Sequence, residues 1–119
     1  NIDVIGNIKL YKLPQPTKKL EKPNSLLVTG ASIHNQEDIL ILKAFKELKN
    51  RVYNSKLILV PRHNFDKVIE LSNNFANINN LSFSQYSKDK TFNSDIIVID
   101  MLGELINIYS ITDIVIIGG

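Results

Sequence analysis

The sequence predicts an α/β fold, a parallel β-sheet with helices on both faces. Four short stretches, Ser25–Thr29, Lys56–Val60, Asp95–Asp100 and Ile114–Ile117, each have a continuous apolar centre rather than an apolar–polar alternation. Strands buried on both faces read that way. The stretches between them place apolar residues at helical spacing. Strand and helix patterns then alternate along the chain, as they do when helices form the crossovers of a parallel sheet. Right-handed crossovers are expected throughout.

Taken in order, residues 1–24 read as a lead-in and linker. Asp3-Val4-Ile5-Gly6-Asn7 predicts a short strand and turn, and Pro14, Pro16 and Pro23 then remove backbone donors and fix φ, so 13–24 reads as extended. The domain proper is expected over 25–119. Its first strand, Ser25–Thr29, stops at Gly30-Ala31-Ser32. Gln36 to Asn50 predicts a helix whose apolar side takes in Ile39, Leu40, Leu42, Ala44, Phe45 and Leu48. His34 or Asn35 would start it, and Glu37 and Asp38 suit the positive end of the helix dipole. Lys56–Val60 is the second strand, stopped by Pro61. Asn64 is expected to cap a helix running to about Asn74. Leu81-Ser82-Phe83-Ser84 predicts a weaker strand, and Ser87 to Ser94 reads as a loop. Asp95–Asp100 is the most strongly apolar strand, Gly103 to Ser110 a short helix, and Ile114–Ile117 a last buried strand.

Composition narrows the classes of function. The 119 residues make one domain's worth of chain, and 44% hydrophobic with 22% charged residues can bury a real core. A net charge of +2 and the absence of Trp argue against a basic, aromatic nucleic-acid surface. No apolar run reaches the ~18–20 residues of a membrane-spanning helix, and no signal peptide is visible. Without Cys there is no disulfide and no thiolate site. The chain starts without Met and stops at Gly118-Gly119 directly after a strand-like run, so it is expected to be a piece of something longer, soluble by itself. Lys9, Lys12, Lys18, Lys19 and Lys22 form a basic stretch. It reads first as a solvated run and second as a peripheral contact with an anionic membrane surface.

In an open parallel sheet, ligands bind outside the carboxyl ends of the strands. That places attention on Gly30-Ala31-Ser32-Ile33-His34, Pro61-Arg62-His63, Met101-Leu102-Gly103-Glu104 and Gly118-Gly119. Both His residues fall there. Gly30 either supplies a tight turn or lets a ligand approach the backbone. No G-x-G-x-x-G and no G-x-x-x-x-G-K-[ST] is present, so neither the dinucleotide fingerprint nor a P-loop applies. Ser32 by itself reads as a polar residue at a helix start. His34 and His63 lack the spacing and the carboxylates of a metal site, so no metal is expected. Arg62, aimed by Pro61, is either solvated or a planar fork for phosphate or a base edge. Glu104 is either a first-turn dipole residue or an acceptor for a sugar or base.

These segments, in this order, resemble one family. Val4-Ile5-Gly6-Asn7-Ile8-Lys9-Leu10-Tyr11 is similar to the V-x-G-N-[LI]-K-[FY] segment of the 3-deoxy-D-manno-octulosonic acid (Kdo) transferases. Gly30 to Glu37 resembles their A-S-[TI]-H-x-x-E-[ED], and Leu57-Ile58-Leu59-Val60-Pro61-Arg62-His63 their L-I-L-V-P-R-H. Met101-Leu102-Gly103-Glu104-Leu105 with Tyr109 resembles their M-G-E-L-x-x-x-Y, and Gly118-Gly119 the start of their G-G-S. Two departures are Leu102, which separates Met101 from Gly103, and Ile33 in place of the commoner Thr.

The resemblance implies a GT-B glycosyltransferase of two Rossmann-like domains facing a cleft. Such an enzyme moves Kdo from CMP-Kdo onto lipid A precursor in Gram-negative lipopolysaccharide biosynthesis, at the cytoplasmic face of the bacterial inner membrane. This chain would be the first part of the C-terminal, donor-binding domain, with 25–119 a partial Rossmann-like domain. No cofactor is implied, because CMP-Kdo is a substrate. The catalytic base belongs to the family's N-terminal domain, so no catalytic residue is expected here and the isolated chain should be inactive. Donor binding is implied for Ser32 and His34 near the phosphate or Kdo, and for Pro61, Arg62 and His63 by cytidine. Met101, Gly103, Glu104 and Leu105 would line the nucleotide pocket, and Gly118 and Gly119 would begin the loop over the donor. One alternative is another GT-B transferase or a sugar-nucleotide epimerase using a uridine nucleotide. Another is a non-enzymatic flavodoxin-like regulatory module. A receiver of that type wants an acidic cluster after its first strand, where this chain has Gly30-Ala31-Ser32.

Overall fold

In the computed structural model of the chain, the described residues are 3–5, 8–10, 24–31, 37–61, 64–101 and 103–118. They form β1 (Asp3–Ile5), β2 (Ile8–Leu10), β3 (Leu26–Ala31), α1 (Glu37–Arg51), β4 (Ser55–Val60) and α2 (Phe65–Ile78). Then follow β5 (Phe83–Gln85), α3 (Tyr86–Asp89), β6 (Ile96–Val98), α4 (Leu105–Tyr109) and β7 (Ile114–Gly118). The strands make one sheet in the order β1-β2-β7-β3-β4-β6-β5. The five strands from β7 to β5 are parallel, which is the expected α/β, Rossmann-like arrangement. β1 and β2 form an antiparallel hairpin whose second strand pairs with β7, Ile8 against Gly118. Residues 3–5 and 8–10, read from sequence as part of the lead-in, therefore extend the same sheet; the linker residues 13–23 lie outside the described residues.

The unbroken apolar runs have a direct cause. Successive strand residues point to opposite faces, and both faces are covered. On one face Val28, Leu57, Leu59, Ile96 and Val98 pack with Ile41, Leu42 and Phe45 of α1 and Val68 and Ala76 of α2. On the other, Leu27, Ile58, Ile97 and Ile99 pack with Tyr86 of α3, Phe92, and Ile108 and Ile111 around α4. Leu27, Leu57, Ile58, Leu59, Ile96 and Ile97 are wholly buried. Gly30 belongs to this packing. A Cβ there would sit 3.2 Å from a Leu59 methyl and 3.3 Å from an Ile41 methyl, so the missing side chain lets α1 close onto the sheet.

The helices depart from expectation in instructive ways. α1 buries Asp38, Ile41, Leu42 and Phe45, while Leu40 and Ala44 are exposed, so its apolar stripe is narrower than the sequence reading gave it. α2 runs beyond Asn74 to Ile78, because Phe75 and Ala76 continue the buried stripe. It stops in a Schellman arrangement. Asn80 adopts φ 57°, and the Leu81 N–H donates to the Ala76 carbonyl at 2.9 Å. Asn64 does sit at the cap position of α2, but in the left-handed region and without a side-chain cap bond. The stretch read as a loop from Ser87 holds most of α3. The buried Tyr86 and Phe92 rings, stacked with centroids 5.1 Å apart, hold that turn against the sheet.

Candidate functional site

The strand order decides where a ligand can enter. β3 to β4 and β4 to β5 cross by α1 and α2 on one face, whereas β6 to β7 crosses by α4 on the other. β4 and β6 are neighbours, and the chain leaves their carboxyl ends toward opposite faces. Such a divergence marks the switch point at which open α/β sheets take ligands. The four segments singled out from sequence follow β3, β4, β6 and β7. In the sheet these strands are consecutive, β7-β3-β4-β6. With strands about 4.8 Å apart, the carboxyl ends of these four strands form an edge about 14 Å wide, on the scale of a nucleotide.

Within that edge, Leu59 registers with Val98, and the Ile99 N–H donates to the Leu59 carbonyl at 2.8 Å. Pro61 and Asp100, each two residues beyond the registered pair, thus emerge side by side. Pro61 is buried and Met101 half-buried. Gly103 has φ +86°, and a Cβ there would meet nothing within 4 Å. Its glycine is needed for the backbone turn, and the turn faces open space. Glu104 precedes the first residue of α4, and its carbonyl accepts from the Ile108 N–H at 2.9 Å. Tyr109, on the same helix, packs with Ala31 and Val115, and burial pushes its phenol pKa up. Of the expected donor-binding residues, Pro61, Met101, Gly103 and Glu104 lie at this edge, with Leu105 at the first position of α4 and Gly118 ending β7. Ser32, His34, Arg62, His63 and Gly119 lie outside the described residues. Among the described residues, no three His, Asp or Glu side chains come together as a metal ion would need.

Among the described residues, the best-bonded polar group at the edge is one the sequence reading passed over. The Asp100 carboxylate accepts from the Ser87 hydroxyl at 2.6 Å, the Ser87 N–H at 2.8 Å and the Gln85 amide at 3.1 Å. Burial pushes its pKa up, but these hydrogen bonds outweigh burial and hold it below the usual carboxylate value. Beside it, Lys90 closes α3 in the left-handed region, φ 55°. Its Nζ lies 2.9 Å from the Met101 sulfur and 5.4 Å from the centre of the Tyr86 ring. The available signal was an Asp at the carboxyl end of a buried strand. Its partners, thirteen and fifteen residues upstream, come from a stretch that carries no motif.

Comparison with known proteins adds the ancestry of this edge. No family model matches the chain. It is 36% identical to the 3-deoxy-D-manno-octulosonic acid transferase of Aquifex aeolicus over 96% of its length, covering 30% of that protein. It is 34% identical to the enzyme of the same name from Haemophilus influenzae over 99% of its length, again covering 30%. It is 33% identical to a bifunctional glycosyltransferase/methyltransferase of Fusobacterium nucleatum, of which it covers 20%. The chain thus spans 20–30% of the length of these relatives. Among solved structures, the C-terminal CMP-Kdo binding domain of WaaA from Acinetobacter baumannii superposes with a TM-score of 0.67 at 30% identity. The match covers 77% of this chain and 48% of that domain.

Proposed function

From the premise that this chain belongs to the Kdo transferases, as part of their C-terminal domain, we propose that it binds the nucleotide of CMP-Kdo for a glycosyltransferase. The observation that carries the reading is geometric. Four segments chosen from sequence follow four consecutive strands, and the switch point between β4 and β6 falls among them. Pro61, Met101, Gly103, Glu104 and Leu105 would flank the cytidine, with Arg62 and His63. Ser32, His34, Gly118 and Gly119 would lie toward the phosphate and sugar.

The chemistry asks little more of this part. A base elsewhere deprotonates the acceptor hydroxyl, the oxygen attacks the anomeric carbon, and CMP leaves as an anion. Donor-side groups such as the Arg62 guanidinium and backbone N–H groups stabilise that anion. The same proposal makes lipid A precursor the acceptor, held by another domain, and places the whole protein at the cytoplasmic face of the inner membrane. Among the described residues no helix is long and apolar enough to cross a membrane, so any attachment would come from a surface or another segment.

Titration of the full-length polypeptide that carries this chain with CMP, UDP and GDP tests the reading. CMP should bind tightest; a preference for UDP rejects it. The isolated 119 residues should transfer no Kdo to any acceptor in a radiolabel assay, and measurable transfer would show that the base lies within them.

A further inference from the structure

We propose that Asp100 is a positioning residue for donor binding: through Gln85 and Ser87 it clamps the turn after β5 to the loop after β6, and so sets Met101, Gly103 and Glu104 in place. The role rests on the nucleotide reading above. Its support is independent geometry. Asp100 is the last residue before the Met101–Glu104 turn, and its carboxylate takes three hydrogen bonds from one segment, 85–87. That segment is itself fixed, because Tyr86 is buried and stacked on Phe92. The same turn of chain reaches the loop a second time through Lys90, whose ammonium lies on the Met101 sulfur. The loop after β6 is therefore gripped from one side at two successive residues, Asp100 and Met101. At its next described residue, Gly103, a Cβ would meet nothing within 4 Å. A loop with a glycine at φ +86° and open space beside it holds a ligand-ready shape only if its root is fixed.

The test uses three variants of the full-length polypeptide: Asp100→Asn, Ser87→Ala and, as control, Asp95→Asn at the other end of β6. Two measurements are made, amide hydrogen exchange of residues 101–104 without ligand, and CMP affinity by calorimetry. Asp100→Asn should speed exchange at Met101, Gly103 and Glu104 and weaken CMP roughly tenfold, the scale on which a charge-assisted hydrogen bond acts. Ser87→Ala, which keeps the backbone bond and so folds readily, should do the same more weakly. Asp95→Asn should lower the melting temperature without either effect. Wild-type exchange and CMP affinity in Asp100→Asn would overturn the role, as would equal loss of CMP affinity in Asp95→Asn, which would mark a general stability effect. A wild-type protein that takes up no CMP overturns the nucleotide reading and, with it, this role; that outcome is told apart by the control titration before any variant is made.

Discussion

β6 is fastened to β5 at both ends by the same device, and the two ends differ in one respect. At the amino end Asp95 accepts from the Ser82 N–H at 3.0 Å and the Ser82 hydroxyl at 3.1 Å. At the carboxyl end Asp100 accepts from the Ser87 N–H and hydroxyl. Each serine lies thirteen residues before its aspartate. At the amino end, though, the charge is closed internally. Lys49 of α1 donates to Asp95 at 2.8 Å and to the Ser55 carbonyl at 2.7 Å. At the carboxyl end the donors to Asp100 among the described residues are neutral, and Lys90 rests on sulfur and a ring instead. A self-neutralised network serves stability. On the proposal made for Asp100, the difference separates a stabilising end from a positioning one in a strand only three residues long.

The largest effect should come from breaking the closed end. Asp95→Ala leaves Lys49 without its carboxylate, in side chains only 17% and 24% exposed, and removes both Ser82 bonds. A loss of about 2–3 kcal/mol is expected, below the cost of splitting a fully buried pair because water reaches this one. Urea denaturation measures it. A loss under about 0.5 kcal/mol would put the pair in the class of surface bridges and remove the contrast between the ends.

Acid should act on both ends. For Asp95, burial raises the pKa, but the Lys49 bond and ion pair with the Ser82 bonds lower it further, so the net is below the ordinary value of 3.8. Asp100 is lowered as well. A carboxylate whose folded pKa is depressed contributes stability that is present above its unfolded pKa and lost as pH falls through the folded one. Stability should therefore fall below about pH 4. Asp95→Asn and Asp100→Asn should each flatten that fall, the first more, because among the described residues Asp95 carries an ion pair and Asp100 does not. If neither variant changes the acid limb, the two networks are weaker in solution than their distances imply.

This contrast also shows what could be read from sequence. Leu27, Leu57, Ile58 and Ile97 announced a sheet buried on both faces because every residue of such a strand must be apolar, so local composition carries the tertiary fact. The carboxyl-end loops followed from the general rule for open sheets. The Asp100 clamp was not legible, since Ser87 and Gln85 are polar residues in a stretch without periodicity, and only the β5–β6 pairing brings them to the aspartate. α3 escaped for the same reason: Tyr86 and Phe92 become anchors only once Ile97 and Ile99 lie beneath them. The antiparallel hairpin on β7 was half legible, as a strand and turn whose partner the sequence could not name.

Gly103→Ala tests the open end at smaller cost. A left-handed backbone costs an alanine about 1 kcal/mol, near the low end of the penalty for residues with a Cβ, and the new methyl would have no atom of the other described residues within 4 Å. Stability should drop by that amount and no more. CMP affinity should drop beyond it, because a ligand at this end of the edge would meet the methyl. Equal affinity in the variant would mean that the donor lies elsewhere along the edge, toward β3 and β7.

The smallest effect belongs to the outer surface of the helices. The Lys46 ammonium donates to the Asn79 side chain where α2 ends, from an exposed position on α1. Exposed pairs of this kind are worth a few tenths of a kcal/mol, because holding a long side chain in one geometry offsets the contact. Lys46→Ala should therefore change the urea midpoint barely at all and leave CMP binding untouched. The Asn79 N–H still donates to the Phe75 carbonyl at 3.1 Å and the Leu81 N–H to Ala76, so the helix end keeps its own backbone closure. A loss above about 1 kcal/mol would show that α2 depends on α1 for its end as well as for its apolar face. The amino side of the domain would then be tied together by Lys46 as well as Lys49.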